Sequence, residues 1–251
     1  MRTILFKLSL FTFGFAFLAA GDHPQMPSKP ALSDPKAVLE NLQTFYATHP
    51  YIYHELTYTL YADHQTATPH SVDHGIFIQS GDTRYARLAA IESLTTKDYT
   101  VAIDHDDRLV LLANRISLPP TAAPIDPLEV WTANPDEVEV RYASEQHDVL
   151  LVSTEYGEVQ QAEIWYDKQT FQPAKIILKY RRSIVLETDA EGDPVQPRIE
   201  IEYRNTSFDG QGRERLDLNG YVRRKGEDWA PVPAYRDYEF INNIRELAVQ
   251  N

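Results

Sequence analysis

From Tyr51 onward, apolar side chains recur at every second position in one segment after another, and short polar turns separate most of these segments. Ile52, His54, Leu56, Tyr58 and Leu60 alternate with Tyr53, Glu55, Thr57 and Thr59. Val72, His74, Ile76 and Ile78 alternate with Asp73, Gly75, Phe77 and Gln79. A period of two marks strands, because successive side chains point to opposite faces. The pattern returns at 84–92, 98–103, 108–113, 137–142, 148–154, 158–166, 174–186, 198–206, 214–223 and 236–241. Ser80-Gly81-Asp82, Asp104-His105-Asp106-Asp107, Glu155-Tyr156-Gly157, Asp167-Lys168-Gln169-Thr170, Asp209-Gly210-Gln211-Gly212 and Lys225-Gly226-Glu227-Asp228 read as the turns. Strands joined so closely pair antiparallel, as a meander.

One segment has a different period. Asp34 is placed to cap a helix, Pro35 suits its first turn, and Val38, Leu39, Leu42, Phe45 and Tyr46 repeat at helical spacing until His49-Pro50. The strand faces divide cleanly. Glu137, Glu139 and Arg141 alternate with Val138, Val140 and Tyr142, and Arg198, Glu200, Glu202 and Arg204 alternate with Ile199, Ile201 and Tyr203. A sheet with one wet and one apolar face curls over something. The expected fold is therefore mainly β: a single curved antiparallel sheet, an open half-barrel of about 11–12 strands. The rhythm breaks at 115–136, which holds Pro119, Pro120, Pro124, Pro127 and Pro135, with one helical turn's worth of sequence at Asp126 to Trp131. This segment reads either as a linker or as an insertion crossing one mouth or face of the sheet. The second is preferred, because the strands before it do not easily close a core alone.

The N-terminus is built for export. Arg2 and Lys7 precede an apolar run from Leu8 to Ala20, and small residues follow at Ala19, Ala20 and Gly21. Basic, apolar and small-residue regions in that order make a cleavable signal peptide over residues 1–21. The competing readings are an uncleaved anchor or a buried helix. However, the run of 13 residues is short of the roughly 20 a spanning helix needs, and Leu10 to Phe17 has no polar face. Residues 22–33, with Pro24, Pro27 and Pro30, read as a flexible leader, and 34–251 as a single β-rich domain. No cysteine follows the signal for acylation, and with none in the chain there are no disulfides. The expected location is the periplasm of a Gram-negative bacterium, with secretion as the alternative. A net charge of −13 repels phosphate backbones, which argues against nucleic acid.

Catalytic motifs are missing. Eight histidines invite a metal reading, and His54, His64, His70 and His74 lie close in sequence, yet no ligand-spaced motif such as HExxH is present. His54 and His74 have inward parity on neighbouring expected strands and would meet across the pair. The acidic turn at 104–107 lacks the distal glutamate of a calcium loop. No serine has a GxSxG setting, and no glycine-rich phosphate loop occurs, so no cofactor is expected. The distinctive feature is aromatic: 15 tyrosines exceed 10 phenylalanines, and many lie in strands, among them Tyr58, Tyr85, Tyr99, Tyr180 and Tyr203. They serve either as ordinary core filling or as the hydroxyl-rimmed wall of an apolar cavity.

The order of these elements resembles a known family. A helix of the kind DPKAVLENLQTFYAT is followed by IYHELTYTLY, GIFIQSGDTRY, AEIWYDKQTFQPAKIILKY and a final strand YRDYEFIN. The most specific part is W-Y-D-x-x-T-x-x-P-x-K-I, Trp165 to Ile176. The whole is similar to the superfamily of periplasmic lipoprotein carriers, LolA- and LolB-like. The resemblance implies an unclosed β-barrel whose apolar cavity shelters acyl chains, with the N-terminal helix packed on its concave face and 115–136 as part of a lid. The chain departs from the carriers in that segment, which is proline-rich where helices are expected. On this reading the cavity walls are Leu56, Tyr58, Leu60, Ile76, Ile78, Val101, Ile103, Ile176 and Leu178, and the partner is a lipid or lipoprotein acyl chain. The alternatives are a cell-envelope interaction module with a packed core and a protein partner, and a hydrolase centred on His54 and His74.

Overall fold

The computed structural model describes residues 34–115, 138–153, 159–183, 194–226 and 228–244. The expected signal peptide, the leader and most of the proline-rich segment lie outside them. Helix α1 runs Pro35–Thr48, between the expected cap at Asp34 and the expected stop at His49-Pro50. Asp34 Oδ1 accepts the Lys36 N–H at 3.2 Å, satisfying a donor the first turn leaves open. His49 is extended (φ −105°) ahead of Pro50, which stops the helix. Val38, Leu39, Leu42 and Phe45 form its buried stripe.

The first meander contains β1 (Tyr51–Tyr61), β2 (Ser71–Ser80), β3 (Thr83–Leu88), β4 (Ile91–Thr95), β5 (Tyr99–Asp104) and β6 (Leu109–Asn114). The second contains β7 (Val138–Tyr142), β8 (His147–Ser153), β9 (Val159–Asp167), β10 (Pro173–Tyr180) and β11 (Arg198–Ser207). A small ribbon, β12 (Val222–Lys225) with β13 (Asp228–Pro231), precedes β14 (Glu239–Asn243). All but the ribbon join one 12-stranded sheet in the order β14-β6-β5-β4-β3-β2-β1-β11-β10-β9-β8-β7. The sheet is curved and does not close, an open half-barrel with one long helix.

Three details differ from the sequence expectation. Residues 84–92 are two strands, because Ala89 turns the chain at φ +50° with no glycine or proline to advertise it. Residues 214–223 alternate like a strand, but 213–216 and 218–220 are 3-10 turns. Asp217 Oδ1 caps the second of these by accepting the Asn219 N–H at 3.0 Å. The last strand, β14, runs parallel to β6, the one pairing in the sheet that is not antiparallel.

Register decides what each face carries. Leu56 lies opposite Gly75 and His54 opposite Phe77, whereas Tyr53 lies opposite Ile78 and Glu55 opposite Ile76. Directly paired residues share a face, so Leu56 and Phe77 look one way and Ile76 and Ile78 the other. On Leu56's side, α1 inserts Val38, Leu39 and Leu42 among Leu56, Leu150, Ile164, Ile176, Leu178 and Ile201. On the opposite side, Tyr53, Ile78, Tyr85, Leu94, Val101, Ile103 and Leu112 are buried under the C-terminal run, which contributes Tyr221, Val222, Trp229, Tyr235 and Phe240. The sheet thus has two cores on opposite faces: α1 covers the β7–β11 half and the C-terminal run covers the β2–β6 half. Gly212 permits the crossing, since a Cβ there would stand 2.9 Å from Ile78 Cδ1, and its φ of +76° suits glycine.

Candidate functional site

Over β1, β2 and β11, the sheet face opposite α1 carries a hollow of about 640 Å³. Ile76, Thr57 and His74 line its floor, and Glu55, Arg87 and Arg204 also border it. Gly75 is buried in β2 because its neighbours leave no room for a side chain. An added Cβ would lie 2.6 Å from the Arg87 carbonyl oxygen and 3.1 Å from Tyr58 Cε2. Asn205, also on the rim, holds φ +38° and donates to Glu55 Oε2 at 2.6 Å.

A second hollow, about 590 Å³, shares Arg87 and Ala89 with the first and is more polar. Its base is the buried carboxylate of Glu92. Tyr85 donates to Glu92 Oε2 at 2.6 Å, and His105 Nε2 and Tyr235 OH reach Oε1 at 2.8 and 3.2 Å. His105 Nδ1 lies 3.1 Å from Tyr238 OH, and Arg215 donates to Tyr85 OH at 3.0 Å. Tyr221 donates to the Arg215 carbonyl at 3.0 Å. Burial, reinforced by the Glu92 charge, pushes the Tyr235 hydroxyl up to about 12 and those of Tyr85 and Tyr221 higher still. These phenols therefore remain donors at ordinary pH. The network draws on β3, β4, the β5–β6 turn and the C-terminal run, so no local motif announces it. One signal was present: in IESLT, Glu92 shares the inward parity of Leu94.

The nine residues expected to wall one cavity fall on both faces. Leu56, Ile176 and Leu178 belong to the core beneath α1, with Tyr58 packed against it and Leu60 half-buried on the same side. Ile78, Val101 and Ile103 belong to the core beneath the C-terminal run, with Ile76 packed against it. Ile76 and Leu56 border the larger hollow.

His54 and His74 do not meet, because their strands' register turns them to opposite faces. His54 is fully buried, with Nδ1 2.8 Å from Thr206 Oγ1 and its ring against Tyr203 and Phe77. That burial lowers its pKa to about 4. His74 is exposed, its Nδ1 3.4 Å from Thr57 Oγ1. The hydrolase reading needed a polar pocket in which His54 or His74 meets a carboxylate; the two histidines are apart, His54 buried beside Thr206 and His74 exposed. His64 pins its loop by donating to the Tyr180 carbonyl at 2.9 Å. Asp104 Oδ1 accepts the N–H groups of Asp106 and Asp107 at 2.9 and 3.0 Å, which is the work of a hairpin turn. Among the described residues, no three histidine or carboxylate side chains gather as a metal site, and no helix is long and apolar enough to cross a membrane.

No family model matches the chain, and neither does any curated protein. Solved structures of similar fold include the MucA/MucB complex of Pseudomonas aeruginosa, at 14% identity over 80% of this chain and 64% of that one, TM-score 0.41. The lipoprotein LppX of Mycobacterium tuberculosis is similar at 7% identity over 68% and 95% of the two chains, TM-score 0.36. A LolA superfamily protein from Nitrosomonas europaea is similar at 9% identity over 74% of this chain and 99% of that one, TM-score 0.35.

Proposed function

We propose that this chain is an exported protein that binds an amphiphilic ligand, a lipid or lipoprotein acyl chain, along the open sheet. The observation that carries the reading is the hollow of about 640 Å³ on the face opposite α1. Its volume is in the range of small-molecule sites, about 300–1,000 Å³. Ile76 and Ala89 offer it apolar surface, and it runs into a second hollow rich in hydroxyl and guanidinium groups. An amphiphile needs both chemistries side by side. Of the nine wall residues expected from sequence, Ile76 is the one whose side chain we assign to this site; Leu56 borders it but turns its side chain to the α1 core. Export rests on residues 1–21, and the periplasm is the compartment where a carrier of apolar cargo has a task.

Native mass spectrometry of the protein isolated from cell envelopes tests the reading, together with displacement of a fluorescent fatty-acid probe by lipid extracts. Co-purified lipid and saturable displacement are expected. A ligand-free protein that displaces no probe would sink the proposal.

A second reading, an envelope interaction module, is favoured by a different observation. Phe208 is 43% exposed and stacks on His49 with ring centroids 4.2 Å apart, beside Phe45. The outer strands β7 and β14 also end the sheet without a further partner among the described residues. Crosslinking that captures a protein through residue 208, with no lipid bound, would favour it.

A further inference from the structure

Several cations of this sheet pair with carboxylates. Lys179 meets Glu163 at 2.7 Å, Arg198 meets Glu200 at 3.1 Å, Lys168 meets Asp148 at 3.2 Å, and Arg204 pairs with Glu202. Acidic residues outnumber basic ones, 37 to 24, so carboxylate partners are plentiful in the sequence. Two guanidiniums at the second hollow nevertheless have no carboxylate within ion-pair distance among the described residues. Arg87 is exposed, and its Nε reaches only the Ala89 carbonyl, at 3.4 Å. Arg215 is half-buried, donates to the neutral Tyr85 hydroxyl, and lies 5.4 Å from that ring's centre.

The nearest candidate counter-charge is already engaged. Glu92 Oε2 accepts a hydrogen bond from Tyr85, and Oε1 accepts from Tyr235 and lies 2.8 Å from His105 Nε2. The remaining carboxylate on the lining is Glu214, exposed at the rim. Fixed donors therefore hold Glu92 in place beneath two guanidiniums with N–H groups to spare. A guanidinium fork matches the paired oxygens of a phosphate or carboxylate, which makes it a recogniser of that geometry.

We propose that the hollow bordered by Arg87 and Arg215 seats a phosphate or carboxylate group, the anionic head of the amphiphile whose apolar part lies over Ile76. This inference rests on the amphiphile reading above. Arg87 borders both hollows, so it stands where head and chain would join. Glu92 and Glu214, both carboxylates on the lining, oppose the anion and set a ceiling on its affinity.

The test uses the mature protein and three probes: dodecyl phosphate and dodecyl maltoside, both below their micelle-forming concentrations, and inorganic phosphate. Isothermal titration should give dodecyl phosphate at least about tenfold tighter than dodecyl maltoside, as a charge-assisted contact provides. Arg87→Gln and Arg215→Gln should each draw the ratio of the two affinities towards one. Glu214→Gln should raise it. Arg87 and Glu214 are exposed, so their variants keep the fold, and Arg215→Lys tests the fork while keeping the charge.

Equal binding of the two amphiphiles, or a ratio unmoved in Arg87→Gln, overturns the anionic seat and leaves amphiphile binding standing. Inorganic phosphate binding as tightly as dodecyl phosphate, with no maltoside binding, keeps the seat and overturns the amphiphile reading. Binding of none of the three overturns both.

Discussion

Tyr85 and Glu92, on adjacent strands and both buried, are joined by a 2.6 Å hydrogen bond from the phenol to Oε2. The same hydroxyl accepts from Arg215, so one oxygen ties the sheet to the C-terminal run. Removing it by Tyr85→Phe leaves a buried carboxylate oxygen short of a donor, at a cost of about 1–3 kcal/mol. Urea unfolding should report that loss as a lower midpoint with an unchanged slope. An unaltered midpoint would mean that the network contributes nothing to holding the run in place.

His54 makes stability depend on pH. Its folded pKa is about 4, below the ordinary 6.5, so between these values the unfolded chain binds the extra proton. Stability therefore falls as pH drops from 6.5 towards 4, by roughly 3 kcal/mol in full. Asp63, Asp167 and Asp209 have carboxyls held below 3.8, mainly by hydrogen bonds, so they contribute in a more acidic window. Denaturation measured between pH 7.5 and 4.5 should show the slope, and His54→Phe, which keeps a ring against Tyr203, should flatten it.

Gly75 has no space for even one carbon. Gly75→Ala brings Cβ against the Arg87 carbonyl, and relieving that overlap should cost about 1–3 kcal/mol. Gly220→Ala is the control, because a Cβ there meets nothing within 4 Å and its φ is not positive. Thermal unfolding of the two variants should separate them. Similar melting temperatures would mean that β2 and β3 part readily at this point.

Leu42, like Val38, keeps only 1% of its surface exposed where α1 packs over the β7–β11 half. Leu42→Ala should cost about 2–5 kcal/mol, the usual range for emptying a packed leucine site. A loss well below 1 kcal/mol, measured by chemical denaturation, would show that α1 is loosely docked.

The sequence made the elements legible and left their facing obscure. The alternation in β1 is clear, and α1 declares itself through Asp34, Pro35 and its leucines. In β2, however, Ile76 and Ile78 are apolar on one face and Phe77 on the other, so parity within the strand does not say which side looks inward. The answer lies in the loop between β1 and β2, where the His70 N–H bonds the Leu60 carbonyl and sets Leu60 opposite Ser71. The bend at Ala89, unmarked by glycine or proline, also hides the relation of Tyr85 to Glu92 within 84–92. Arg215 and Tyr235 reach that pair across more than a hundred residues of chain, a distance over which periodicity carries no information.

The two covers on opposite faces put the order of synthesis at odds with the order of completion. β2 to β6 are among the first strands made, yet Ile78, Leu94, Val101, Ile103 and Leu112 stay uncovered until residues 213–243 have followed. The α1 half has all its described partners by Ser207. A chain emerging from N to C terminus therefore finishes its later-made half first and carries an exposed apolar strip almost to the end. Loss of the last forty residues would leave that strip open for good, and the failure would appear as aggregation instead of a merely softer fold.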